Sequence, residues 1–392
     1  MSPWRNRLGY SLCIAALAVL LVIYGQPYIL CMLGLLVVLG IIQVLGVRRD
    51  ADILRLELQC GQGCRAGGSL QLSLTAHCAK RLLVAKAAVV ELEIRNEMLG
   101  TVRTQQVLMP LYEKNEPVQL EIPARVCGAV SVHCSKVEVW DLLEICCADA
   151  AASESAYTII WPRSAEVQLV SSLQAAGSSQ MEGVAQSRRG SDLSEIFDFK
   201  EYAPGDDVRA IHWKLSGKTD HLMLREGSEP SHYDVALMVD AGLQRRSGSL
   251  TAQELNAAAS LVLALGEQLL ENAMRFCLLF PTRQGLVQRE IRTLEALQQA
   301  LPLWLSEPLP PQAGAGLQLF RAGSMEQQYT RLMIVSAGQY EQDLQSFTGR
   351  LSLSVVSAAE QDEPVYTTLS PSCEIAVLPA ALPRGLRFRV IF

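Results

Sequence analysis

The residues that could do acid–base chemistry lie together between Phe199 and Glu226. General acids and bases are usually His, Lys, Asp or Glu side chains, held close to the reacting group. The segment offers a set of this kind: Asp206, Asp207, Arg209, His212 and Lys214. One hypothesis is therefore a hydrolase-like enzyme that uses Asp206, Arg209, His212 and Lys214. The alternative is a hydrogen-bonded network that docks the segment on the rest of the chain.

The motifs that usually accompany such chemistry are absent from the sequence. It contains no Gly-x-Ser-x-Gly nucleophile elbow, no Walker loop, and no Gly-x-Gly-x-x-Gly run after a strand. Pro204-Gly205 has the composition of a type II turn, because proline fixes φ at the second position and glycine accepts a positive φ at the third. Trp213 offers a large apolar anchor with one hydrogen-bond donor. These features favour the network and a non-enzymatic role.

The same segment carries a family resemblance. The run Tyr-x-Pro-Gly-Asp-Asp-x-Arg-x-Ile-His-Trp-Lys, from Tyr202 to Lys214, resembles the signature of the domain of unknown function 58 family. Members typically have a membrane hairpin, a β-sandwich, this signature and a domain similar to the von Willebrand factor A fold, so the resemblance covers nearly the full length. Residues Ser216-Gly217-Lys218 depart from the family, which usually shows Ala-Arg after the lysine.

This resemblance implies a membrane-tethered adaptor or assembly factor that associates with a MoxR-type AAA+ ATPase. It also implies that the signature residues form the partner-binding surface. The residues that carry this expectation are Tyr202, Pro204, Gly205, Asp206, Arg209, His212, Trp213 and Lys214.

The resemblance raises the question of a metal site. A von Willebrand A domain usually binds a divalent cation through Asp-x-Ser-x-Ser after its first strand, with oxygen ligands from later loops. This chain has Asp240-Ala241-Gly242-Leu243-Gln244 there, and Ser336 in the later loop where the metal-binding form would carry Asp before Gly. We therefore expect a degenerate metal position at Asp240 and Ser336, which binds Mg²⁺ weakly at most. We expect no cofactor. The alternative role of Asp240 is to cap the following loop.

Eleven cysteines are a second source of metal ligands. Cys60 and Cys64 have a C-x₃-C spacing, and further Cys and His residues follow before residue 148, but no second paired knuckle supports zinc. Cysteines also serve as small buried hydrophobic residues. An odd number with irregular spacing does not indicate a disulfide framework, so reduced thiols in the cytosol fit better.

Two uncharged stretches at the N-terminus predict a membrane hairpin. Leu8–Tyr24 and Tyr28–Val47 would form helices of about 26 and 30 Å, close to the hydrocarbon thickness, with Gly25-Gln26-Pro27 as the turn. A signal peptide and a single buried core helix are the alternatives. Four arginines flank the hairpin, Arg5, Arg7, Arg48 and Arg49, and none lies inside it. The positive-inside rule then predicts a two-helix cell-membrane protein whose soluble region is cytoplasmic.

The sequence after the hairpin predicts two folded domains in succession. Residues 53–165 alternate apolar and polar side chains in short runs, as in Leu54, Leu56 and Leu58, which favours an antiparallel, immunoglobulin-like β-sandwich. From Tyr233 onward strand-like runs alternate with helical stripes, which predicts an α/β domain with a mostly parallel, doubly wound sheet.

The predicted organisation has four parts. They are a membrane anchor (1–49), a β-sandwich (50–165), a Ser/Gly-rich linker or loop (166–190), and the signature segment with a von Willebrand factor A-like domain (191–392). The net charge of −6 gives no basic footprint for nucleic acid, so the expected partners are the bilayer and another protein.

Overall fold

The computed structural model describes most of the chain. The described residues are 3–78, 80–111, 117–165, 167–171, 189–190, 192–201, 211–219, 221–228, 233–245, 248–342, 344, 351–370, 372–382 and 386–390. They form two compact units. The first contains Met1–Pro162 with Leu305–Pro308, and the second contains Arg163–Trp304 with Leu309–Phe392. Each unit is considered by itself below.

The first unit begins with two long apolar helices. Helix α1 spans Pro3–Tyr24 and α2 spans Pro27–Ile53, and both are long and apolar enough to cross a membrane. Their large apolar side chains point outward, for example Val22 at 86% and Leu35 at 69% exposure. A buried core helix would hide such side chains, so that alternative does not fit.

The two helices contact each other through a tyrosine and a glycine. The Tyr10 hydroxyl of α1 donates a hydrogen bond to the Leu36 carbonyl of α2. A Cβ on Gly40 would lie 2.8 Å from the Tyr10 hydroxyl oxygen, so only glycine leaves room for this ring. Small residues commonly allow such close approach between membrane helices.

The rest of this unit is antiparallel β structure, as predicted. Its strands are β1 (Leu54–Cys60), β2 (Ser69–Cys78), β3 (Ala85–Asn96), β4 (Thr101–Pro110), β5 (Val118–Pro123), β6 (Gly128–Asp141), β7 (Cys147–Asp149) and β8 (Ser155–Ile160). Strands β1, β2 and β5 form one sheet, while β4, β3, β6 and β7 form another in which β8 also pairs with β6. The alternation of Leu54, Leu56 and Leu58 with polar residues does bury one face of β1.

The second unit contains a mixed sheet that is parallel at its centre. Its strands are β13 (Tyr233–Val239), β16 (Phe276–Thr282), β17 (Gly285–Ile291), β18 (Tyr329–Ala337), β19 (Ser352–Ala359), β20 (Val365–Ser370) and β21 (Cys373–Pro379), in the order β17-β16-β13-β18-β19-β21-β20. The five inner strands are parallel and the two edge strands are antiparallel. The inner strands are largely buried, because both faces of a parallel sheet are covered.

Smaller elements complete this unit. They are the strands β9 (Val167–Ser171), β10 (Arg189–Gly190), β11 (Asp192–Glu201), β12 (Met223–Ser228), β14 (Gln244–Arg245), β15 (Gly248–Ser249) and β22 (Leu386–Val390), the helices α3 (Trp213–Thr219), α4 (Ala252–Glu271), α5 (Leu294–Ser306) and α6 (Ala315–Ala322), and a 3₁₀ turn (Met325–Gln327). Helix α4 begins with a capping box, in which Thr251 and Glu254 each bond the other's backbone N–H.

Three details differ from the sequence-based expectations. The segment predicted as a linker, 166–190, contains β9, which pairs in parallel with β22. Helix α2 continues beyond the predicted end at Val47 to Ile53, where β1 begins directly. The sequence from Tyr340 to Phe347 favours a short helix, but residues 340–342 are not helical and most of the remainder lies outside the described residues.

Candidate functional site

The signature segment connects two antiparallel strands. Strand β11 ends at Glu201 and β12 begins at Met223, and these two residues are partners in the ladder. Five of the predicted site residues lie outside the described residues: Tyr202, Pro204, Gly205, Asp206 and Arg209. The structure places the other three, His212, Trp213 and Lys214, at the start of helix α3.

His212 caps this helix. Its ring Nδ1 accepts a hydrogen bond of 3.0 Å from the Leu215 N–H. Its carbonyl oxygen accepts bonds from the N–H groups of Leu215 and Ser216, and its own N–H donates to the Met223 carbonyl. A ring nitrogen that accepts from an N–H carries no proton, so the hydrogen of the neutral ring lies on Nε2. Nδ1 is thus already occupied, which weakens the role of His212 as a general base.

Ser216 fixes the helix against β12. Its hydroxyl oxygen accepts a 2.8 Å bond from the Met223 N–H, and its hydroxyl donates to the His212 carbonyl. Ser216 is buried, whereas a Cβ on the neighbouring Gly217 would meet nothing within 4 Å. The departure of this chain from the family pattern at Ser216 therefore supplies a specific contact, while Gly217 faces open space.

Trp213 is not an anchor inside this chain. Its side chain is 70% exposed, next to an exposed Lys214. Leu222, which follows the helix, is 44% exposed. The expectation that Trp213 would dock the segment on the rest of the chain is therefore not met for this residue. A large, exposed indole is available to another molecule, because tryptophan combines a wide apolar surface with one donor.

Asp240 lies immediately after β13 and is fully buried. Its Oδ1 accepts a 2.9 Å bond from the Gly316 N–H, and its Oδ2 accepts from the Leu317 N–H at 3.3 Å and from the Tyr340 hydroxyl at 2.8 Å. The first N–H groups of a helix have no partner within the helix, and the carboxylate supplies one at the start of α6. Asp240 thus caps a helix distant in sequence rather than the following loop.

Ser336, the second residue of the predicted degenerate metal position, does lie beside Asp240. Its hydroxyl donates a 2.9 Å bond to the Asp240 carbonyl oxygen, and the Asp240 N–H donates to the Val335 carbonyl. The hydroxyl therefore holds the backbone of Asp240 and not its carboxylate. The two residues are neighbours, but their oxygen atoms are committed to protein hydrogen bonds.

A backbone segment fills the place where the metal-binding motif carries its first hydroxyl. A Cβ on Gly242 would lie 2.2 Å from the Ala313 nitrogen and 2.6 Å from the Gln312 carbonyl oxygen. The N–H groups of Leu243 and Gln244 donate 2.9 Å bonds to the carbonyls of Pro310 and Pro311. A serine side chain at 242 would therefore collide with this segment. The close-packed backbone therefore requires glycine at 242.

Burial dominates the electrostatics of Asp240. Loss of solvent raises the pKa of its carboxyl above the ordinary value, although bonds from Tyr340, Gly316 and Leu317 act in the opposite direction. Burial and the neighbouring carboxylate also raise the pKa of the Tyr340 hydroxyl, so it remains a donor at neutral pH. No basic side chain donates a hydrogen bond to Asp240 among the bonds described here.

The cysteines do not assemble into a zinc site in the described part of the chain. There, no three His, Cys, Asp or Glu side chains stand close enough together to hold a metal ion. Cys127 and Cys134 are buried, and burial raises their thiol pKa to about 12 and about 11. These two residues therefore act as small apolar side chains in the interior.

Two buried carboxylates escaped the sequence analysis. The side chain of Asp50 accepts bonds from the N–H groups of Leu83, Val84 and Ala85, at 2.9–3.1 Å. Asp141 accepts 2.8 and 2.9 Å bonds from the Ile145 and Cys146 N–H groups. The position of Asp50 in the last turn of α2 could have revealed this site from the sequence. A negative charge is unfavourable at a helix C-terminus unless tertiary contacts stabilise it.

Comparison with known proteins identifies one related family. Residues 198–318 match the profile described as "Protein of unknown function DUF58". The matched segment includes the whole signature, Asp240 and the start of α6. No curated protein matches the chain.

Two solved structures are similar to parts of the chain. A cohesin module from a Clostridium perfringens ATCC13124 family 33 glycoside hydrolase shares 12% identity over 28% of this chain and 97% of its own, with a TM-score of 0.23. A Paenibacillus sp. cycloisomaltooligosaccharide glucanotransferase shares 9% identity over 79% of this chain and 45% of its own, with a TM-score of 0.18. Neither likeness defines the fold or the function.

Proposed function

Since the chain belongs to the DUF58 family, whose function is unknown, we propose that it is a membrane-anchored, non-enzymatic adaptor that binds a protein partner through the signature helix α3. The observation that carries this proposal is the 70% exposure of Trp213 on a helix that is itself fixed by buried hydrogen bonds. Binding energy at protein interfaces is concentrated in a few residues, among which tryptophan is the most enriched.

The bilayer is the first proposed partner. Helices α1 and α2 have mean hydropathies of 2.0 and 2.7 over their most apolar stretches. Their exposed apolar side chains favour a lipid solvent, because large apolar surfaces are rarely left in water. Arginines before α1 and at the end of α2 favour a cytoplasmic position for both termini and for the soluble region.

The binding surface proposed for the protein partner is small and rigid. It consists of Trp213, Lys214 and Leu222. The bonds from Leu215 to His212 and from Met223 to Ser216 fix the helix before any partner arrives, so little ordering entropy would be lost on binding. The outward-facing ammonium group of Lys214 would suit an acidic partner surface.

The nature of the second unit supports a binding role over a catalytic one. We propose that it is a von Willebrand factor A-like domain whose metal position is closed by the protein itself. Its central strands are parallel, and Asp240 follows one of them where such domains bind their metal. Here the carboxylate is committed to two N–H groups and a hydroxyl. Recognition would then depend on α3, and the expected partner is a MoxR-type AAA+ ATPase.

The test is cross-linking and co-purification of the full chain from native membranes in mild detergent. The unaltered chain should recover a AAA+ ATPase, and Trp213→Ala should reduce its recovery at least about tenfold, because loss of a central tryptophan commonly costs 2 kcal/mol or more. Tyr366→Ala is the matched control, since Tyr366 is also an exposed aromatic residue, 42% exposed, on β20 of the same unit. Equal recovery with Trp213→Ala and Tyr366→Ala would refute the assigned surface.

A further inference from the structure

An apolar groove lies where the two long helices meet a turn of the β region. Its volume is about 420 Å³, within the range of small-molecule sites. Both helices and the turn contribute side chains to it. Those that define its shape are Ile14 of α1, Val37, Ile41 and Val44 of α2, and Ile145 and Cys146 of the turn.

Hydrogen bonds fix the rim of the groove. Asp141 accepts bonds from the N–H groups of Ile145 and Cys146 and thereby holds the turn. The Nε of Arg7, in α1, donates a 2.7 Å bond to the Ile145 carbonyl. Tyr10 ties α1 to α2 through the Leu36 carbonyl. The groove is thus formed before any ligand enters, which reduces the ordering needed for binding.

One polar side chain in the groove lacks a partner. Gln43 lies on the apolar helix α2, lines the groove and is only 6% exposed. Its buried Oε1 accepts no hydrogen bond from any described residue. An unpaired amide oxygen in an apolar environment costs free energy comparable to a lost hydrogen bond, and more inside a bilayer. This oxygen is buried, so the surface of the groove is apolar and calls for a ligand with an apolar body.

The charges beside the groove define the ligand further. Arg7 binds the turn that forms one wall, and the exposed Arg48 and Arg49 follow the groove-lining part of α2. The nearby Asp50 is buried and holds backbone N–H groups, and its Oδ1 lies 3.6 Å from the Nη1 of the partly exposed Arg49. Basic residues at the end of a membrane helix attract anionic headgroups, at about 1 kcal/mol for each charge near the surface.

We propose that the groove binds one phosphatidylglycerol-type phospholipid from the bilayer. An acyl chain would occupy the apolar groove, and the phosphate would lie towards the arginines. This inference rests on the bilayer placement of α1 and α2 in the proposed function. It does not depend on the partner-binding surface at Trp213.

Native mass spectrometry of the full chain in detergent tests the proposal. After addition of phosphatidylglycerol, one lipid should remain bound per chain, with at least about fivefold preference over phosphatidylcholine of the same acyl chains. Ile41→Trp should fill the groove and reduce retention at least about tenfold.

The matched control is Leu35→Trp, an exposed position on α2 outside the groove lining. It should retain phosphatidylglycerol like the unaltered chain. Equal retention of the two lipids, or equal loss with Leu35→Trp and Ile41→Trp, would overturn the proposal. Carbonate extraction of membranes tests the bilayer placement of α1 and α2 separately. A chain that is not inserted in the bilayer would leave the membrane fraction, whereas an inserted chain that binds no lipid would remain in it. Trp213→Ala should leave lipid retention unchanged.

Discussion

Asp50 and Asp240 are fully buried carboxylates in different units, and both hold backbone N–H groups. Asp50 binds three successive N–H groups at the start of β3, from Leu83 to Ala85. Asp240 binds two at the start of α6 and adds the Tyr340 hydroxyl. The same residue type therefore joins distant segments in both units.

The two sites differ in how the negative charge is accommodated. The Nη1 of Arg49 lies 3.6 Å from Asp50 Oδ1 and is 43% exposed, so a partly solvated cation accompanies the first carboxylate. The described donors to the second carboxylate are neutral, and burial raises its pKa. A run of N–H groups with a nearby cation can hold an anion, whereas neutral donors alone leave a large desolvation cost. The comparison teaches that a buried aspartate need not indicate a metal.

The largest effect is expected from Asp240→Ala. The substitution leaves two N–H groups and the Tyr340 hydroxyl buried without their acceptor, and each such group costs about 1–3 kcal/mol. We expect the free energy of unfolding to fall by about 4 kcal/mol in urea denaturation of the full chain in detergent. Hydrogen exchange of the Gly316 and Leu317 amides should accelerate. Asp362→Ala removes an exposed carboxylate and is the control; an equal loss for both variants would contradict the helix-capping role.

The counterpart in the first unit is Asp50→Ala. Three N–H groups lose their acceptor, but the start of β3 can reach water more easily after local opening. We therefore expect the free energy of unfolding to fall by about 3 kcal/mol. Hydrogen exchange should accelerate at Leu83 to Ala85 and remain unchanged at Gly316. Asp52→Ala is the matched control, because Asp52 is an exposed aspartate in the same helical turn. Faster exchange with Asp52→Ala alone would remove the basis of the comparison.

The sequence singled out Asp240, as a degenerate metal position or a loop cap, and missed Asp50, for a physical reason. Asp240 follows an apolar strand in a pattern known from metal sites, so its position was conspicuous. Asp50 follows two arginines at the end of a hydrophobic helix, and its N–H donors lie more than thirty residues later in the chain. By contrast, the alternation of Leu54, Leu56 and Leu58 was sufficient to predict strand β1, which follows α2. Burial of one face of a strand can be read from its local sequence.

The packing around Trp213 and Gly242 was beyond the reach of sequence patterns as well. Amphipathic periodicity indicates which face of an element is apolar, but a helix of seven residues such as α3 has too few positions to define one. Gly242 looked like a lost ligand position, whereas the structure shows that backbone at Gln312 and Ala313 occupies the space. Such close approach depends on two segments about seventy residues apart.

A smaller effect is expected from Gly242→Ala. The new Cβ would approach the Ala313 nitrogen to 2.2 Å, and backbone cannot rotate away as a side chain can. We expect a loss of about 2–3 kcal/mol in the free energy of unfolding, typical of overpacking. Gly217→Ala is the control, because its Cβ meets nothing within 4 Å in a helix, where alanine is favoured over glycine. An unchanged free energy of unfolding for Gly242→Ala would show that the 310–313 segment does not fill the space beside residue 242.

The smallest effect concerns the pH dependence of the Asp240 site. Because burial raises the folded-state pKa of Asp240 above its ordinary value of 3.8, the folded state keeps a proton that the unfolded state has lost in the interval between the two values. The contribution of Asp240 to stability is thus fully present below the unfolded pKa and declines as the pH rises to the folded pKa. A protonated carboxyl can donate to the Tyr340 oxygen, so the site remains hydrogen-bonded there.

Asp240→Asn isolates this contribution, because the amide does not titrate. The difference in unfolding free energy between the unaltered chain and Asp240→Asn should fall as the pH rises from about 4, by no more than about 1.4 kcal/mol per pH unit for one proton. It should become constant above the folded pKa. A difference that grows with rising pH would mean that the three hydrogen bonds outweigh desolvation. Asp240 would then hold its charge as readily as a carboxylate with a neighbouring cation, and the contrast with Asp50 would disappear.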